Sequence, residues 1–132
     1  MQGPHQGRHE GRGRRRKRRR VLQFLQPCLL LLLQKDAAHG YALLTELGRF
    51  GFDSQRIDPT LIYRTLHEME MAGWVQSRWD EDESLGPRRR VYSLLDEGKR
   101  QLKLWVEDLR RTQSEIERLL GEYEDSIDPE VV

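Results

Sequence analysis

Leu102, Leu109, Ile116 and Tyr123 stand seven residues apart, with Trp105, Thr112 and Leu119 interleaved between them. A repeat of this spacing keeps its apolar positions on one face only in a helix, and the pattern persists from Asp96 to about Glu124. One short domain cannot cover so long a stripe, and an exposed seam of Trp and Leu is costly in water. A chain that carries it is expected to form a homodimer. The seam predicted for it is Leu102, Trp105, Leu109, Ile116 and Leu119.

The remaining length is that of one small core, since the whole chain has 132 residues. Its near-neutral balance of 23 basic and 22 acidic residues conceals a split. Residues 1–20 hold nine Arg or Lys and one acid, which makes that head about +8 and the body after it about −7. The head ends in Arg14, Arg15, Arg16, Lys17, Arg18, Arg19 and Arg20 and contains one apolar residue, Met1, so it is read as a disordered basic arm that gathers phosphates by charge. A solubilising tail is the alternative. The single cysteine, Cys28, excludes an internal disulfide framework and fits a reducing compartment. The longest apolar run, Cys28 to Leu33, is too short to cross a membrane, and no cleavable signal follows the head. A cytoplasmic, nucleoid-associated protein is expected.

Within the body, Pro27 and the Leu-rich run after it predict a short buried helix ending near Lys35, which is expected to pack on the partner's long helix through Leu29 and Leu32. A second helix is predicted from about His39 to Phe50, where Tyr41, Leu44 and Leu47 form a stripe and Gly51 stops it. On that stripe Tyr41 is expected to be packed. Asp58 and Pro59 supply a cap and a first helical residue for a third helix, with Ile62, Leu66 and Met69 inward and Gly73 as the left-handed end. Two β-prone runs follow, Trp74 to Trp79 and Arg88 to Leu94, joined by a polar Gly-Pro stretch as a hairpin. Asp96 is the expected cap of the long helix, and the chain after Glu124 is expected to fray.

This plan is mainly α with a small β-hairpin: a winged helix-turn-helix over residues 21–95, a dimerisation helix over 96–124 and a tail over 125–132. The third helix fits a major groove, so Thr60, Tyr63, Arg64 and His67 on its polar face are candidate contacts to double-stranded DNA. Arg88, Arg89 and Arg90 bring three charges to the flanking backbone or minor groove. Pairing with the acids from Asp80 to Glu83 is the alternative for those arginines.

The residues that carry these elements also resemble the PadR family. They are Ala38-His39-Gly40-Tyr41, Asp58-Pro59, Leu61 to Leu66, Met69-Glu70, Gly73-Trp74-Val75, Gly86-Pro87-Arg88-Arg89 and Val91 to Leu94. The resemblance runs from about Leu25 to Leu109. It implies a dimeric transcriptional regulator, usually a repressor and often released by a small molecule; a small aromatic effector near Trp105 is the form expected here. Leu61 stands where the family commonly has threonine, and Leu95 where a capping threonine is usual.

Other residues have plainer readings. His39 is expected to serve the start of the second helix, since no carboxylate or cysteine stands at metal-ligand spacing from it, and Cys28 is expected to be an inert core thiol. No nucleophile triad, phosphate loop, metal cluster or paired carboxylates in a plausible pocket are found, the consecutive acids Asp80 to Glu83 reading as a solvated loop, so neither an enzyme nor a cofactor is expected. The alternative function is general nucleic-acid or RNA binding through the arginine-rich arm.

Overall fold

The computed structural model describes residues 24–51, 56–80 and 89–127; the basic arm and Arg88 lie outside them. The first helix, α1, spans residues 24–35, with Pro27 in its first turn, where a missing donor costs little. Leu25, Leu29, Leu30, Leu32 and Leu33 are all buried in the chain's own core. Leu29 and Leu32 therefore depart from the expectation that they meet a partner, because at 0% and 7% exposure they have no surface to offer one. A run of leucine at every position has no distinguishable face in the sequence, and the domain buries Leu29, Leu30, Leu32 and Leu33 while leaving Cys28 and Leu31 partly open.

A two-residue strand, β1 (Ala38–His39), leads directly into α2 (Gly40–Glu46), which tightens into a 3-10 turn at Leu47–Phe50 and ends on Gly51 with φ 84°. The buried stripe of α2 is Gly40, Leu43, Leu44 and Leu47, at the i, i+3, i+4, i+7 positions. Tyr41 lies one residue, about 100°, off that stripe and is 66% exposed, which corrects the expectation that it packs inward.

α3 (Pro59–Met71) begins as its sequence requires: the Asp58 carboxylate accepts from the Thr60 N–H at 3.0 Å, and Pro59 occupies the first helical position. Ile62, Leu66 and Met69 are fully buried. Thr65 joins them by donating its hydroxyl to the Leu61 carbonyl at 2.8 Å. The helix closes in a Schellman motif, with Gly73 at φ 82°, the Gly73 N–H on the Glu70 carbonyl and the Trp74 N–H on the Met69 carbonyl, both at 3.0 Å.

The wing strands β2 (Val75–Trp79) and β3 (Arg90–Leu94) pair antiparallel in a register that sets Val75 opposite Leu94, Ser77 opposite Tyr92 and Trp79 opposite Arg90. β1 adds to the other edge of β3, so the hairpin is part of a three-stranded sheet in the order β1-β3-β2.

The last helix, α4 (Asp96–Ser126), has Leu95 at its cap position without a side-chain bond, so Asp96 is its first residue rather than its cap. The Leu95 N–H donates instead to the Trp74 carbonyl at 2.9 Å. Gly98 is buried against that carbonyl and the Leu94 side chain. Leu102 enters the core and Trp105 packs on its edge. Farther along, Ile116, Leu119, Leu120 and Tyr123 are exposed in the single chain, Leu119 at 70%.

Candidate nucleic-acid interface

The apolar face of α3 leaves a polar stripe outside. Thr60, Tyr63, Arg64 and His67 fall at i, i+3, i+4 and i+7, and all four are exposed. Fixing Ile62, Leu66 and Met69 inward therefore fixes these four outward. Arg64 has no ion-pair partner among the described residues and lies beside a shallow depression between α1 and α3 that includes Gln26 and Glu68.

Tyr63 faces another way, toward the wing. Its ring reaches the start of α2, where a Cβ on Gly40 would come within 2.5 Å of Cε1. Only glycine admits the ring there. Tyr63 and Gly40 form one side of an open cleft of about 490 Å³ completed by His39, Tyr41, Trp79, Arg89, Arg90 and Tyr92. Three residues expected at the interface, Tyr63, Arg89 and Arg90, are thus brought together, while Thr60, Arg64 and His67 line no part of this cleft.

Arg90 is not a free cation. Its Nη1 donates to Ser77 Oγ at 3.1 Å and stands 3.9 Å from the Glu70 carboxylate, and its guanidinium lies 4.8 Å from the centre of the Trp79 ring. Glu70 in turn accepts from the Ser77 N–H at 3.0 Å and from its hydroxyl at 2.6 Å, which ties α3 to the wing. The acid that pairs Arg90 is thus on α3. Asp80, at the root of the wing loop, is instead 3.3 Å from His39 Nε2. His39 belongs to β1 and caps no helix with its side chain, so its role is to join α2 to the wing.

Burial raises the Tyr92 phenol above its ordinary pKa, with Arg90 opposing, so it remains a neutral hydroxyl beneath the cleft. Burial also pushes the Cys28 thiol up to about 11. At neutral pH it is therefore protonated and a poor nucleophile. Trp79 and Tyr41 are surface residues of this cleft that the sequence did not mark as such. Strand alternation from the buried Val75 would have placed Trp79 on the face of Ser77, toward α3.

A recognition helix with an exposed polar stripe and a wing anchored to it define a winged helix-turn-helix DNA-binding regulator. The family model for the "Transcriptional regulator PadR-like family" matches residues 29–104, more than half of the chain. The chain belongs to that family, and its role is regulatory and not catalytic. A putative transcriptional regulator from Thermoplasma acidophilum is 28% identical, with a TM-score of 0.63 over 83% of this chain and 99% of that one. A PadR-like transcriptional regulator from Bacillus cereus is 25% identical, with a TM-score of 0.65 over 76% and 94% of the two chains. A PadR family transcriptional regulator from Eggerthella lenta is also 25% identical, with a TM-score of 0.64 over 86% and 94%. No curated protein matches the sequence. Among the described residues no helix is long and apolar enough to cross a membrane.

Proposed function

We propose that the chain acts as a homodimeric repressor that reads an inverted-repeat operator in double-stranded DNA, one half-site per α3. The observation that carries this reading is the outward stripe of Thr60, Tyr63, Arg64 and His67 opposite a fully buried apolar one. A rigid helix of this kind holds base-reading groups at fixed spacing, and two-fold symmetry places half-sites about 10 bp, or a multiple of it, apart.

Arg64 is the proposed base reader. Arg64→Ala is expected to relax preference at one position per half-site, at about 1–3 kcal/mol for a contact bidentate to guanine. Titration against a series of operator variants tests this; an unchanged ranking overturns it. Equal affinity of the full chain for operator and random duplex would overturn the specific reading and favour general nucleic-acid binding.

The basic arm, Arg14 to Arg20, is proposed to add affinity without ranking. With about four charges engaged per protomer, deleting residues 1–20 is expected to flatten the log–log salt slope by about 3.6, from about 0.9 per phosphate. Equal slopes would eliminate that role. Relief of repression is proposed to follow a small aromatic effector near Trp105, which must favour one conformation of the pair to act at all. A screen that follows Trp fluorescence and DNA release together, with neither responding, would remove the effector.

A further inference from the structure

We infer that the cleft between the start of α2, α3 and the wing seats one sugar–phosphate strand of duplex DNA, with Tyr63 and Arg89 on a phosphate and Trp79 against the adjoining deoxyribose. The inference rests on the DNA-binding reading above and assigns the contacts that position the protein rather than those that read sequence. Neighbouring grooves of a duplex are separated by one backbone strand. A helix lodged in one groove and a hairpin leaning toward the next must therefore have that strand in the gap between them, and this cleft is that gap.

Its lining matches such an occupant. A backbone strand combines apolar sugar with anionic phosphate, and the cleft combines the rings of Tyr41, Tyr63 and Trp79 with the cation of Arg89. Among the described residues no carboxylate lines it. Two acids beside it among the described residues have partners of their own, Glu70 in Ser77 and Arg90, and Asp80 in His39. The cleft is open rather than enclosed, as a continuous strand requires and a small captured molecule does not.

Two features make these groups ready before DNA arrives. Trp79 is 50% exposed, yet its ring is held from one side by the Arg90 guanidinium, itself fixed by Ser77 and Glu70. A large side chain already ordered loses little entropy on contact. Tyr63 has one side of its ring against Gly40, whose missing Cβ leaves room for it. Gly40 and Arg90 are thus positioning residues, acting through Tyr63 and Trp79.

The test uses the full chain with two duplexes, one selected by the protein from a random pool and one unrelated sequence of equal length. Trp79→Ala is expected to weaken both by about tenfold, the scale of one lost aromatic contact, with the order of preference retained. Trp79→Tyr, which keeps an exposed ring, is expected to recover most of the loss. In phosphate-ethylation interference, one phosphate per half-site that matters to the unaltered chain is expected to cease mattering in Tyr63→Phe. Gly40→Ala is expected to cost affinity when Tyr63 is present and nothing further in a Tyr63→Ala background; equal costs in both would make Gly40 merely structural and overturn its role. Unchanged affinity of Trp79→Ala, or a changed base ranking, overturns the seat. If that occurs while Arg64→Ala still relaxes preference, DNA recognition stands and the seat alone falls. If the unaltered chain binds neither duplex, both fall.

Discussion

Replacing Leu109 and Ile116 together with lysine is expected to yield a folded, helical monomer whose affinity for a two-half-site duplex is lower by about 10²- to 10⁴-fold. Beyond Trp105, Leu109 is only partly covered by the described residues and Ile116, Leu119 and Tyr123 are open to water, so a second copy is their natural cover. Losing that cover separates the two half-sites into independent binding events and removes the effective-concentration gain. Lysine is preferable to glutamate, because like charges meet across the seam while the added charge does not itself repel DNA. Mass by light scattering and titration on duplex decide it. An unchanged dimer mass would refute the seam.

The largest effect on stability is expected at Gly98. A Cβ there meets the Trp74 carbonyl oxygen and the Leu94 side chain. The carbonyl cannot simply retreat, since it accepts the Leu95 N–H at 2.9 Å. Gly98→Ala is therefore expected to destabilise by about 3 kcal/mol as an overpacking substitution. The melting temperature would fall by about 12–24 °C for a domain of this size. The same exchange at Gly121, in the same helix with open space around it, is expected to stabilise by about 0.5–1 kcal/mol through helix propensity. Thermal melts of the two variants should move in opposite directions. Parallel shifts would show that α4 is not pressed against the wing at its start.

How far the chain could be read without coordinates differs from element to element. Asp58, Pro59 and Gly73 announce both ends of α3 because caps and left-handed terminators are local chemistry, and the structure places all three as expected. The three apolar residues of α3 were legible for the same reason, and with them the outward stripe. β1 was not legible: Ala38 and His39 form a strand only because β3 offers an edge, which is a long-range fact. Tyr41 was misread because i, i+3, i+6 and i, i+3, i+4, i+7 stripes overlap in a helix this short, and the true one runs through a glycine with no hydropathy to reveal it. Leu29 and Leu32 were misread because a continuous leucine run carries no phase. Trp79 was overlooked beside the more conspicuous arginines, although one of them, Arg90, is spent holding it.

The junction of Leu95 and Gly98 with Trp74 and Leu94 has a mechanical meaning. Trp74 immediately precedes β2 and Leu94 ends β3, so both legs of the wing stand on the base of α4. At 31 residues that helix is a lever about 46 Å long, with its fulcrum at the wing. A swing of about 4 Å at the far tip corresponds to a tilt of about 5° at the base, from the same helical rise. Whatever sets the angle at which two such levers cross also sets the pitch of each wing.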